Sequence, residues 1–209
     1  MLILCLTKVK ERMRKIMKIC VYGAASSLID KVFVEAGEEL GRQMAERGHS
    51  LVFGGGRSGM MGAPARGLFE KGGHILGIAP KFFEENNPEI SFENCTEFIQ
   101  TETMRERKKL LDELSDAFIV APGGIGTFDE FFEILTLKQL GRHNKAIVIL
   151  NINGYFNDML NMMTHAIDKK FITTDCVELY KVADTIEEAL DYIEKYDPTD
   201  IDLSKVKIR

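Results

Sequence analysis

Residues Ala121–Glu130, APGGIGTFDE, set three glycines, a hydroxyl and two carboxylates directly behind an apolar run. Glycines let the backbone turn tightly and bring its N–H groups close to an anion. A helix starting behind them, near Thr127, adds partial positive charge, and Thr127 itself offers a hydroxyl. The chemistry favoured is binding of a phosphate-bearing ligand; the plainer alternative is a strand-to-helix turn. It is not a P-loop, because no Gly-Lys-Ser/Thr follows at that spacing. A second cluster, GGGRSGMMG at Gly54–Gly62, contains Gly54-x-Gly56-x-x-Gly59. Alone that match is weak. It follows the second apolar run and not the first, which counts against a nicotinamide cofactor. Its expected use is backbone approach to the ligand, at Gly55 and Gly56, from a neighbouring strand.

Two charged groups flank the longer glycine turn. Arg105, Arg107, Lys108 and Lys109 precede the central apolar run. They are either a solvated face paired within its own helix to Glu102, Glu106, Asp112 and Glu113, or cations for a site. Their spacing leaves both open. Asp129, Glu130 and Glu133 follow the turn. Acids in a first helical turn stabilise the helix dipole, so a structural role competes. Residues three apart share a helix face, so Glu130 and Glu133 should point one way and Asp129 another. A carboxylate just past a phosphate turn can meet the sugar of a nucleotide.

The frame for these groups is legible from Lys18 onward. Apolar runs at Lys18–Tyr22, Ser50–Phe53, His74–Ala79, Thr96–Gln100, Asp116–Ala121, Lys145–Leu150 and Leu179–Val182 read as strands. Segments with helical spacing fall at Asp30–Gly48, Gly59–Lys71, Thr103–Leu114, Phe128–Leu140, Tyr155–Lys169 and Thr185–Lys195. Gly62 and Pro64 should delay the start of the second helix. Lys81–Ser91 reads as a polar loop. Alternating strands and helices predict an α/β fold, a Rossmann-like doubly wound parallel sheet in a single domain, with ligands outside the carboxyl ends of the strands. Both glycine clusters sit there, on what should be adjacent strands. The expected organisation is an extension over 1–17, with Met13 and Met17 as alternative starts, a domain over 18–196 and a tail over 197–209.

Composition narrows the classes. The chain has 209 residues, 45% hydrophobic and 28% charged, with net charge −5. That suits a large core and argues against a general nucleic-acid binder, which needs a basic face. The four cysteines are scattered, so reduced cytoplasmic thiols are expected rather than a disulfide framework. The four histidines show no metal-ligand spacing, so no metal is expected. No apolar run is long enough to span a membrane, and the apolar-then-basic N-terminus has the reverse order of a secretory signal.

Two motifs together carry a resemblance. Met104-Arg105-Glu106-Arg107-Lys108, followed by Pro122-Gly123-Gly124-Ile125-Gly126-Thr127-Phe128-Asp129-Glu130, resembles the paired motifs of the LONELY GUY (LOG) family over roughly Lys18–Lys195. Gly54–Gly62, Thr136, Gln139–Gly141 and Asn151–Tyr155 also resemble family segments. The family comprises cytokinin riboside 5′-monophosphate phosphoribohydrolases, often labelled lysine decarboxylases. The resemblance implies cleavage of the N-glycosidic bond of a nucleoside monophosphate such as AMP, without a cofactor, by a homodimer with its site near the subunit contact. It places the catalytic pair on Arg107 and Glu130. It places substrate contacts on Glu89, Lys108, Gly124, Ile125, Gly126, Thr127, Asp129 and Thr136. The chain departs from the pattern at Arg105, often His, and at Leu137, often Trp, which bears on base preference. No lysine occupies a recognisable pyridoxal phosphate site.

In the implied mechanism the departing base leaves oxocarbenium character on the sugar, which a fixed carboxylate at Glu130 stabilises or relieves by activating water. Arg107 holds the phosphate or the leaving side, and remote phosphate binding supplies orientation. Two other readings share the fold: a nucleotide or cofactor carrier without turnover, and a hydrolase of phosphate esters. Fold alone separates none of these.

Overall fold

The computed structural model describes residues 15–86 and 90–201. In chain order it runs β1 (Lys18–Tyr22), α1 (Lys31–Glu46), β2 (Ser50–Phe53), α2 (Gly59–Glu70), β3 (Ile75–Pro80), α3 (Lys81–Asn86) and β4 (Glu97–Thr101). It continues with α4 (Met104–Glu113), β5 (Ala117–Val120), α5 (Ile125–Gln139), β6 (Ala146–Leu150), α6 (Asn157–Asp168), β7 (Lys181–Ala183) and α7 (Ile186–Lys195). Short 3-10 turns at Ile152–Gly154 and Thr174–Leu179 flank α6.

The described strands form one parallel sheet in the order β4-β3-β2-β1-β5-β6-β7. Side chains alternate across it, and both faces are buried, as a parallel sheet requires. Ile19 and Val21 of β1 join Leu40, Met44, Met60, Leu68, Leu190 and Ile193 on the α1/α2/α7 face. Cys20 and Tyr22 join Leu111, Phe131, Ile134 and Met163 on the α4/α5/α6 face. This is the doubly wound arrangement expected of the sequence. Strand order reverses between β1 and β5, and that switch point is where such sheets bind ligands. The packed residues also include Met17, one position before the expected boundary.

Three local expectations change. Lys81–Asn86 is helical rather than loop. Helix α2 starts at Gly59 and carries Pro64 inside it. Proline removes one backbone bond there, but α2 buries Met60, Ala63, Ala65 and Leu68 completely, and that tertiary packing outweighs propensity. The glycine turns follow β2 and β5, which are not adjacent; β1 lies between them, with Val21 in register with both Phe53 and Ile119.

Candidate active site

Helix α5 begins three residues before its expected start. Gly124 is its N-cap, and Phe128 N–H closes the first turn on the Gly124 carbonyl at 3.0 Å. Thr127 makes this possible by folding back: a Cβ on Gly123 would lie 2.1 Å from Thr127 Oγ1. The hydroxyl-bearing side chain is therefore buried against the turn. Gly124, Ile125 and Gly126 are exposed, and a Cβ added at Gly124 or Gly126 would meet nothing within 4 Å. No side chain caps this N-terminus, so its backbone N–H groups face outward as an anion site would need. The turn borders a cleft of about 440 Å³ at the carboxyl ends of β1 and β5, lined also by Ser26, Asp30, Phe33 and Tyr155. That is the size of a small-ligand pocket.

The early start moves the acids. Asp129, Glu130 and Glu133 lie beyond the first turn, so helix-dipole stabilisation does not account for them. Their directions also differ from expectation. Lys108 Nζ bonds Asp129 Oδ2 at 3.0 Å and Glu133 Oε2 at 2.5 Å. These two acids, four apart, share a face; Glu130 points away from them into the interior.

Glu130 meets Arg107 there. A capping box starts α4: Thr103 Oγ1 accepts from Glu106 N–H at 3.2 Å, and Glu106 Oε2 accepts from Thr103 N–H at 3.3 Å. One turn later Arg107 faces the sheet. Its Nε donates to the Ile78 carbonyl at 3.2 Å and its Nη1 to Glu130 Oε1 at 2.8 Å. Arg107 is 3% exposed and Glu130 7%. Desolvation of such a pair costs several kcal/mol per ion, so it is a weak source of stability. A buried pair behind an uncapped helix N-terminus is instead the arrangement expected of a reaction site. Burial pushes the Glu130 carboxyl above its ordinary 4.5, and Arg107 opposes that rise. If ionised Glu130 is the working form, activity rises with pH as it deprotonates. The acidic limb of a kcat/KM profile is therefore expected above pH 4.5; a limb at or below 4 would contradict this.

Gly54 has a purpose that spacing alone did not show. A Cβ there would lie 2.0 Å from Arg107 Nη2, so the missing side chain makes room for the guanidinium. Gly54→Ala should displace the arginine from Glu130. The obstructing group is a side-chain end and not backbone, so the fold should survive the rearrangement. We expect turnover to fall at least ~10-fold, as for other losses of catalytic orientation, with a lower melting temperature because the buried pair is broken. Full activity in the variant would show that the Arg107 placement is unimportant.

The basic cluster divides. Arg107 and Lys108 cross to α5, Lys109 pairs with Glu113 on its own helix at 3.8 Å, and Arg105 is exposed. Gly55 and Gly56 are engaged with the chain itself. Phe92 N–H donates to the Gly55 carbonyl at 2.8 Å, and Gly56 bridges to Ser91. Thr136 is exposed on α5, roughly 18 Å of helix beyond Gly124, and the structure does not bring it to the cleft. Glu89 lies outside the described residues. His49, His74 and His143 partner Glu194, Glu97 and the Ile134 carbonyl. Among the described residues no group of three or more His, Cys, Asp or Glu could hold a metal ion.

Sequence reasoning gave no role to Tyr22, nor to Tyr155, which entered only as the end of a family-like segment. Tyr22 lines, with Glu130, Glu133 and Leu137, a 170 Å³ cavity between α4 and α5. Burial first, then Cys20 and Glu130, push its hydroxyl well above 10, so it stays a neutral donor. Tyr155 Oη donates to the Gly123 carbonyl at 2.7 Å. Each stands at or just past the carboxyl end of a strand, which was the available signal.

Comparison with known proteins decides the family. A cytokinin riboside 5′-monophosphate phosphoribohydrolase of Arabidopsis thaliana, LOG2, is 34% identical over 189 residues, 90% of this chain and 88% of that one. A second from the same plant, LOG5, is 35% identical over 190 residues, 91% and 81% of the two chains. The chain belongs to the LONELY GUY family. The family model described as "Possible lysine decarboxylase" matches this LOG member over residues 61–193. Among the described residues, neither Lys108 nor Lys138 suits the chemistry in that description, which needs a lysine of lowered pKa on pyridoxal phosphate. Glu133 and Asp129 raise the pKa of Lys108. Burial lowers Lys138 to about 8, but it lies ~20 Å down α5 from the turn, bonded to the Lys145 carbonyl and Tyr196 Oη. The molybdenum cofactor carrier protein of Chlamydomonas reinhardtii superposes with a TM-score of 0.67 at 23% identity, over 87% of the LOG chain and 98% of its own. At that identity the likeness speaks to fold.

Proposed function

We propose that this LOG-family protein hydrolyses the N-glycosidic bond of nucleoside 5′-monophosphates, AMP and its cytokinin-type relatives, giving free base and ribose 5-phosphate. The observation that carries this is the buried Arg107–Glu130 pair set behind an open, uncapped glycine turn. The 5′-phosphate binds at the N-terminus of α5, on Gly124, Ile125, Gly126 and Thr127. Glu130 stands ~9 Å further along the helix, where the sugar end of the substrate would have to lie. Water adds to C1′, the C1′–N bond breaks with its electron pair going to the base, and the base takes up a proton. Glu130 stabilises the positive charge on the sugar or takes the proton from water. Arg107 fixes the Glu130 carboxylate and supplies positive charge to the substrate. Lys108 and Asp129 border the sugar side.

A second reading shares the fold: binding of a nucleotide or cofactor without turnover, as the name of the molybdenum cofactor carrier would suggest. Possession of both Arg107 and Glu130 supports the enzyme. Homodimerisation belongs to the same proposal, supported by the apolar Leu28 and Ile125, 93% and 83% exposed, near the cleft. We place the protein in the cytoplasm; no helix among the described residues is long and apolar enough to cross a membrane. AMP incubated with the protein in EDTA should yield adenine and ribose 5-phosphate at an undiminished rate. Adenosine and free phosphate, or activity that requires an added divalent ion, would point to ester hydrolysis instead.

A further inference from the structure

The loop after β6 is built more tightly than a connection needs. Asn151 is buried, its Oδ1 accepting from Phe156 N–H at 2.8 Å and its Nδ2 donating to Asn157 Oδ1 at 3.0 Å. Between these anchors Asn153 and Gly154 both take left-handed backbone, φ 52° and 71°. For a non-glycine residue that conformation costs free energy and persists only where the surroundings impose it. The result is to throw Tyr155 across to the neighbouring loop. Its ring is held edge-on by Phe33 at 5.7 Å and Phe156 at 5.0 Å, and its hydroxyl donates to the Gly123 carbonyl at 2.7 Å.

We propose that Tyr155 is a positioning residue for the phosphomonoester of the substrate, acting through the Gly123–Gly124 peptide. The peptide is planar and trans, so the Gly123 carbonyl and the Gly124 N–H point in opposite directions. Holding the carbonyl therefore fixes the direction of the N–H at the mouth of α5. The preceding peptide is held too, by Ala24 N–H on the Pro122 carbonyl at 3.1 Å. Gly124 has no side chain to resist rotation, and nothing lies within 4 Å of where a Cβ would stand. The tyrosine hydroxyl supplies the restraint that packing does not. Its ring and Gly124 both line the 440 Å³ cleft, so the restraint acts beside the bound group.

This inference rests on the hydrolase reading for its substrate, and its test separates the two. Tyr155→Phe keeps the ring and removes only the hydroxyl. AMP and ribose 5-phosphate binding are measured by calorimetry, and kcat/KM is measured for AMP and adenosine, on wild type and variant with melting temperatures alongside. We expect binding of both phosphorylated compounds to weaken about tenfold, the scale of one hydrogen bond. The AMP-to-adenosine ratio of kcat/KM should fall by a similar factor at unchanged melting temperature. Equal affinity and an equal ratio in the variant overturn the positioning role while leaving the hydrolase reading intact. Wild type that binds AMP without cleaving it sinks the hydrolase reading, and the affinity loss in the variant then still supports Tyr155. Wild type that binds neither compound overturns both.

Discussion

Glu130→Gln is expected to lower the rate of base release at least ~10²-fold, the usual scale for an essential general acid or base. Glutamine matches the shape of glutamate and keeps an oxygen for Arg107 Nη1, which now bonds Glu130 Oε1 at 2.8 Å. What it loses is the charge, which the mechanism uses and which neighbouring Asp129 cannot replace, being tied to Lys108 on another face of α5. Removing the charge also leaves buried Arg107 without its counter-ion, so melting temperature should fall. Circular dichroism and calorimetric binding of AMP therefore accompany the kinetics. A folded variant that binds AMP within a few-fold of wild type and does not cleave it is the predicted result. Turnover within about twofold of wild type would remove Glu130 from the chemistry.

The second large effect is dependence on the 5′-phosphate. The open N-terminus of α5 offers unpaired backbone N–H groups and a partial positive charge, with no side chain capping it. Arg107 and Lys108 add cations nearby, although both already hold carboxylates. Charge-assisted hydrogen bonds contribute roughly 1.5–3 kcal/mol each. Loss of two should lower kcat/KM on the order of 10²-fold or more. Binding of a group remote from the breaking bond also orients that bond, so adenosine should lose kcat as well as affinity. A ratio of specificity constants near one for AMP and adenosine would mean that the glycine turn is only a turn.

Much of this was legible in the sequence because each element announced itself locally. Period-two burial in β1, with Ile19 and Val21 on one face and Cys20 and Tyr22 on the other, follows from a strand covered on both sides. Arg107 and Glu130 were named because two motifs fell at a family-like separation. Their contact itself is a tertiary fact: they lie 23 positions apart on two different helices, and no spacing rule predicts that Gly54 of a third segment clears the space. The start of α5 was misplaced because propensity disfavours Gly126 and Thr127 in a helix, whereas Thr127 is fixed by folding over Gly123. The facing of Asp129 and Glu133 was misjudged for a different reason: residues four apart share a helix face as well as residues three apart, and Lys108 selects the 129/133 pair. Strand adjacency failed for another reason. The chain returns from β4 to lie beside β1, and only the assembled sheet shows that β1 separates the two glycine turns. Tyr155 was named only within a family-like segment, because its contact is a hydrogen bond spanning 32 residues.

In the proposed function the Arg107–Glu130 pair cleaves what the glycine turn holds. A single-turnover reaction tests it most directly: AMP is mixed with protein in excess, quenched over time and resolved by chromatography. All the AMP should become adenine and ribose 5-phosphate in equal amounts. AMP recovered intact from a saturated complex would contradict it and leave a binding protein on the same fold.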